Sequence, residues 1–282
     1  MWLWRKRKRV PHAKPELSVW WHVFYGLVAL AVVGLLGTGV WYGTRQPIVT
    51  LDQIIVEGGE TIPHEDVTHI VEQALEGSYV FLIPRRFTYL YPKGTITEHL
   101  LALPRLHDLT LTVEERTTLH ITFEEYVPHA LWCLAEDDAA PCYFVSDEGY
   151  AFAAAPPLRG GVFTRYIIAG TGELMEGYPL SPEMFTTTEQ FIAGLIDTVG
   201  YRTRSVTETE DGDIIYTLSG GGDILVAGDM SAEDGLENLR AVLSSSKFAH
   251  LAPGNFAYID LRFGSKVFVK EELVAPGDEA SQ

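Results

Sequence analysis

The sequence predicts an α+β protein on a membrane tether: an N-terminal transmembrane helix, a small β-α-α-β-β domain, then a larger mixed β domain with two helices. Three observations predict it. From Leu17 to Thr44 no residue is Asp, Glu, Lys or Arg. A hydrophobic fraction of 46% over 282 residues fills one or two soluble cores beside an anchor. After the anchor, apolar residues recur alternately with strand and helix periods, in blocks punctuated by Gly and Pro.

Residues 1–19 read as a basic cytoplasmic tail and 20–43 as the span. Residues 1–45 hold seven bases (Arg5, Lys6, Arg7, Lys8, Arg9, Lys14, Arg45) and one acid, Glu16, a net of +6; the rest holds 14 bases and 37 acids, a net of −23. A polyanion repels phosphates, which argues against nucleic acid as a partner of the large part. The apolar heart at 23–40, with its aromatic flanks, exceeds the ~20 residues a helix needs to cross a bilayer. Trp20 and Trp21 at one end and Trp41 and Tyr42 at the other suit the two headgroup zones. Five bases precede the span and only Arg45 closely follows it, so the N-terminus is expected in the cytoplasm and the rest outside. A cleaved signal peptide would have a shorter core and a small-residue cleavage site; here Trp41-Tyr42 follows instead. Gly34, Gly37, Thr38 and Gly39 are candidates for a helix-packing face.

The first domain is expected over 48–125. Residues 51–57 read as a strand rich in β-branched side chains, ended by Gly58-Gly59. A helix is expected from Thr61 or Pro63, with Val67, Ile70, Val71, Ala74 and Leu75 on one face and Gly77 as its stop. Residues 79–83 read as a buried connector or short extended piece. A second helix after Gly94-Thr95 carries Ile96, Leu100, Leu101 and Leu103 and ends at Pro104. Two alternating strands, 109–114 and 119–124, follow around a polar turn. This order matches the architecture of a POTRA domain.

The second domain is expected over 126–270. Residues 130–134 and 142–146 read as a hairpin around an acidic loop, followed by a turn at Asp147–Gly149 and a short strand at 166–169. Ser181-Pro182 opens a helix to about residue 198. Strands are expected at 205–210, 214–218 and 223–227, a helix capped by Ser231, and closing strands at 256–263 and 266–270. The acidic tail, 271–282, has no apolar period and reads as disordered.

No catalytic constellation stands out, and neither a cofactor nor a metal is expected. The nine His make no His-x-x-x-His pattern. Ser219-Gly-Gly-Gly-Asp between two strands reads as a hairpin turn, since no helix with Lys and Ser/Thr follows. Glu136-Asp137-Asp138 reads as a solvated loop, with a cation site as the alternative. Cys133 and Cys142, the only cysteines, flank one predicted hairpin loop. Cross-strand neighbours can meet the geometry of a disulfide, and export permits oxidation; two unpaired buried thiols are the alternative. The last strand alternates Lys266, Val267, Phe268, Val269, Lys270. As an edge strand it would offer unpaired backbone groups to a partner strand.

Several passages, in order, resemble the bacterial cell-division family FtsQ/DivIB. They are Ile54-Ile-Val-Glu-Gly-Gly, Leu101-Ala-Leu-Pro-Arg-Leu, Thr117 through Trp132, Phe144-Val-Ser-Asp-Glu-Gly-Tyr-Ala-Phe, and Asp223-Ile-Leu-Val-Ala-Gly with the helix after it. Tyr258-Ile-Asp-Leu-Arg-Phe-Gly-Ser-Lys-Val-Phe-Val is the most specific. The sequence departs from the family at Gly59, Tyr126 and His129. The resemblance implies a POTRA domain, an FtsQ-type β domain and a non-enzymatic divisome scaffold at the septum. It also implies binding to bitopic partners of the FtsB/FtsL type and to other divisome components. Phe263 stands at the family's partner-contacting aromatic, lacking its hydroxyl. The expected contact residues are Arg262, Phe263, Lys266, Val267, Phe268 and Val269, with Arg262 or Lys266 pairing acids of the partner. A POTRA-containing envelope-biogenesis or secretion factor is the first alternative, and a membrane-anchored cell-wall enzyme the second.

Overall fold

A computed structural model describes residues 19–264 and 266–272. The basic tail, but for its last residue, and the acidic tail beyond residue 272 lie outside the described residues.

The first helix, α1 (Val19–Gly43), has no Asp, Glu, Lys or Arg and is mostly apolar, and none of its membrane-span window is buried against the protein. Leu30 and Leu35 are 73% and 74% exposed. At a 1.5 Å rise per residue its length is about 37 Å, enough to cross a bilayer's hydrocarbon core. A helix this apolar has no polar face to turn to water. The Thr38 hydroxyl donates to its own helix, at the Gly34 carbonyl (2.8 Å), and the glycines of the small-residue stripe have open space beside them.

The chain beyond α1 divides into two compact units. One comprises the chain up to Leu100 together with Leu109–Phe123; the other comprises Leu101–Asp108 and the chain from Glu124. In the first unit, β1 (Gln53–Gly58) is followed by α2 (His64–Leu75), the short strands β2 (Ser78–Tyr79) and β3 (Ile83–Pro84), and α3 (Lys93–Leu101). The strands β4 (Leu106–Glu114) and β5 (Thr118–Glu125) complete a three-stranded sheet in the order β1-β5-β4, with β1 parallel to β5. Pro63 precedes α2, Glu65 and Asp66 sit in its first turn where the helix dipole favours acids, and Val67, Val71, Ala74 and Leu75 are buried. Ile96, Leu100, Leu119, Ile121 and Phe123 of the same unit are buried as well. Gly58 has φ +97°, and a Cβ there would lie 2.0 Å from the Phe123 carbonyl oxygen. Only glycine lets β1 turn away so close to β5.

Of the two readings of residues 79–83, the short extended piece fits and the buried connector does not: β2 and β3 pair as a tight hairpin with a three-residue tip, of which Val80 and Phe81 have positive φ and are 81% and 88% exposed.

The second unit is built on a nine-stranded sheet. Its strands are β6 (Ala130–Cys133), β7 (Cys142–Val145), β8 (Ala151–Ala155), β9 (Arg165–Ile168), β10 (Thr203–Glu208), β11 (Ile214–Leu218), β12 (Asp223–Val226), β13 (Phe256–Phe263) and β14 (Lys266–Glu271), in the spatial order β14-β13-β12-β11-β10-β9-β6-β7-β8. Neighbours run parallel at β12/β13, β9/β10 and β6/β9 and antiparallel elsewhere. Two helices, α4 (Pro182–Val199) and α5 (Ala232–Ser244), contribute Phe185, Phe191, Leu195 and Leu239 to a core with the sheet's Val206, Ile224, Phe256 and Ile259. The cap of α4 is Ser181, whose Oγ accepts from the Met184 N–H (3.2 Å); Gly200 ends it at φ 73°. Ser231 Oγ accepts from the Asp234 N–H (3.1 Å) at the start of α5. At the other end of the sheet, Leu131, Cys133, Cys142, Phe144 and Phe152 make a smaller apolar cluster. Period-two alternation finds no strand over 151–155, where alanine fills all but one position, yet β8 pairs there with β7.

Candidate protein-docking edge

The last hairpin gathers the residues expected to meet a partner. β13 and β14 are joined through Gly264, which has φ +63°. β14 ends the sheet, and among the described residues no strand pairs its outer flank. Its backbone N–H and C=O groups on that side are a template for another strand. The edge is charged at both ends: Lys266 and Lys270 are exposed.

Alternation along β14 sorts its side chains. Val267 and Val269 are partly buried and pack on the main core. Phe268 points the other way and is 53% exposed. Phe263, across the hairpin, is 56% exposed, and the two rings meet edge to face with centroids 5.4 Å apart. They form a small apolar knob beside an open strand edge. Val267 and Val269, expected among the contact residues, hold β14 onto the core with their side chains and turn only backbone to the open flank.

Arg262, expected to pair an acid of the partner, already has acids of its own chain beside it. Its guanidinium is spent inside the chain. Nη2 and Nε donate to the two oxygens of Asp260 (2.8 and 2.9 Å), and Nη1 donates to Asp213 Oδ2 (2.8 Å). The same group lies 5.6 Å from the Phe263 ring centroid, so it props the aromatic from behind. Asp260 is buried, and the hydrogen bonds from Arg262 hold its carboxyl below the usual carboxylate range against the opposing effect of burial. The two carboxylates in turn raise the Arg262 pKa. Asp260 and Arg262 are two apart on one strand and so share a face, a relation legible in Ile-Asp-Leu-Arg. Asp213 comes from just before β11 and carried no such signal.

The other singled-out residues are not at this edge. Cys133 and Cys142 are bonded to each other directly across β6 and β7, with Cα atoms 4.1 Å apart. The next pair along exchanges Leu134 N–H for Pro141 C=O (3.2 Å), so the cysteines occupy one of the close, non-hydrogen-bonded positions. Tyr126 stacks on Tyr150 and Phe152, at 5.2 and 5.1 Å between centroids. His129 Nε2 lies 3.0 Å from Glu189 Oε2, and Glu189 also accepts from the Tyr166 hydroxyl. Burial first, and the Glu189 charge second, push the Tyr166 phenol well above its ordinary pKa, which keeps it a neutral donor.

The acidic run is exposed, as a solvated loop is expected to be, and is also tied to the sheet. Arg165, buried, pairs with Asp138 (2.9 Å) and donates to the Glu136 carbonyl (3.2 Å), while the Glu136 carboxylate accepts from Ser205 (3.0 Å). Among the described residues no group of three or more His, Cys, Asp or Glu is placed to hold a metal ion.

No protein-family profile matches this chain, and no curated protein matches it.

Proposed function

We propose that the chain is a single-pass membrane scaffold of the cell-division machinery, which recruits and links other divisome proteins at the septum by lending a strand edge. In this reading α1 crosses the plasma membrane with the basic N-terminus in the cytoplasm. The first unit is a POTRA-like module and the second an FtsQ-type β domain. The mixed three-stranded sheet with β1 parallel to β5 supports the first assignment. The ordered sequence passages, above all 258–269, support the second.

One observation carries the function: β14 is an open edge that presents a paired Phe263–Phe268 knob while its valines face inward. A partner strand added to β14 gains main-chain hydrogen bonds for affinity and an aromatic contact for register. Aromatic side chains, Phe among them, are enriched at interfaces relative to the rest of a protein's surface. The tether confines the search for a bitopic partner to the plane of the membrane.

The test is a co-purification of an FtsB-type partner with the full-length chain in detergent. Phe263→Ala with Phe268→Ala weakens capture by at least tenfold, about 1.4 kcal/mol, with the thermal melt of the chain nearly unchanged. Undiminished capture would refute the edge mechanism. Val267→Asp is unsuitable as a probe, because it places a charge against the core.

A further inference from the structure

Among the described residues two turns hold consecutive non-glycine residues at positive φ, Glu115-Arg116 and Val80-Phe81, and only the second, in the hairpin of β2 and β3, displays apolar side chains there. Leu82 N–H donates to the Tyr79 carbonyl (3.0 Å), leaving Val80 and Phe81 as its two central residues, at φ 47° and 61°. Positive φ at both positions is the pattern of a type I′ turn, which Asn and Gly fill without strain. A β-branched Val in that region is a genuine outlier. The fold thus holds two large apolar side chains in a strained turn and leaves them 81% and 88% exposed. Strain of this kind persists where the displayed side chains have work to do.

The surrounding sequence is equally unusual. From Gly77 to Thr97 there is no Asp or Glu, in a part of the chain that otherwise carries 37 of them. The same stretch holds Arg85, Arg86 and Lys93 and the aromatics Tyr79, Phe81, Phe87, Tyr89 and Tyr91. Tyr89 and Leu90 are 63% and 52% exposed, as is Ile48 (64%), which follows α1 closely. Bases with aromatics and exposed aliphatics are the composition of a membrane–water interface.

Position supplies the third line. Arg45, just past the end of α1, donates through one nitrogen to two carbonyls, Trp41 (3.1 Å) in the last turn of the helix and Leu82 (2.8 Å) at the hairpin. Its guanidinium also covers the Trp41 ring at 4.5 Å. One side chain thus clamps the hairpin to the end of α1, where that helix would leave the bilayer.

We propose that the Val80–Phe81 hairpin tip inserts into the outer leaflet of the bilayer that α1 crosses, with Tyr89 and Leu90 at the headgroup level and Arg45, Arg85 and Arg86 at anionic headgroups. This rests on the reading of α1 as a membrane span. The device fixes the first unit against the membrane surface, and a swivelling tether becomes a rigid one.

Depth-dependent fluorescence quenching tests it in the full-length chain, reconstituted in vesicles of phosphatidylethanolamine and phosphatidylglycerol. Cys133 and Cys142 are bonded to each other, so a single introduced cysteine takes the fluorophore. Labels at Phe81→Cys and Tyr89→Cys are quenched several-fold more by lipids spin-labelled near the headgroup than a label at Glu72→Cys on exposed α2. A label at Val32→Cys reports α1 and is quenched best by deep spin labels. Deep quenching at residue 32 with no excess at 81 and 89 overturns the hairpin insertion and leaves the span intact. No deep quenching at 32 removes the span and the insertion with it. The double change Val80→Asn, Phe81→Gly relaxes the turn, so thermal stability holds or rises while shallow quenching at 89 falls several-fold. Quenching at 89 that survives this change places the membrane contact elsewhere and contradicts the proposal.

Discussion

Arg262, expected at the partner contact, also has a task inside the fold. As a lone base on a terminal strand it reads as a contact for a partner's acid; in the fold it neutralises a buried one. Its partner Asp260 has its pKa depressed in the folded state, so the pairing stabilises the fold above the unfolded value of about 3.9 and is lost as pH falls through the lower, folded value. Arg262→Gln therefore costs about 1–3 kcal/mol near neutral pH, by leaving a buried carboxylate short of its donors. The deficit shrinks below about pH 4, where Asp260 is protonated in the variant. Thermal melts of both proteins across this range check it; a deficit that does not change with pH contradicts the assignment. For two of these three residues the sequence held a signal that went unread: Asp260 and Arg262, two apart on one strand, share a face. For Asp213 it held none, because nothing local marks a contact 49 residues away. Phe268 was ambiguous between core and surface, since its neighbours Val267 and Val269 are equally apolar. Only the register with β13 shows which parity faces inward.

Among the elements, those with strong local chemistry were legible to within a few residues. α4 and α5 announce themselves by Ser181, Pro182 and Ser231 and by their apolar period. The pairing of β6 with β7 was legible from alternation and from the two cysteines. Their disulfide closes a loop of sequence separation 9, for which loop entropy gives about 2–3 kcal/mol. Reduction, or Cys133→Ser with Cys142→Ser, lowers the unfolding free energy from denaturant titration by that amount. It leaves capture of the partner unchanged, because the strand pair lies at the other end of the sheet from β14. Loss of capture in a chain that remains folded would mean that the docking surface extends to β6 and β7. The elements that defeated pattern reading did so for physical reasons. β8 is mostly alanine, a poor strand former kept extended by its neighbour β7. The β2–β3 tip is apolar, and apolarity signals burial, yet Val80 and Phe81 are exposed.

For the whole molecule, the fold class and the order of its parts were legible because charge and hydropathy change abruptly along the chain. A basic head, one uncharged apolar stretch and an acidic remainder can be arranged in few ways about a bilayer. The topology of the large sheet was not legible, since β9 pairs with both β6 and β10 across long connections that no local pattern encodes. What that topology achieves is to leave β14 last in the sheet, with one flank unpaired among the described residues and the Phe263–Phe268 knob beside it.

The most direct measurement is site-specific photocrosslinking in dividing cells, with a photoreactive amino acid placed singly at 263, 268 or the control position 154 on β8. Strand addition at β14 predicts a crosslink to one bitopic division protein from 263 and 268 and none from 154. Equal crosslinking at all three positions, or none at 263 and 268 in cells that still divide, contradicts it.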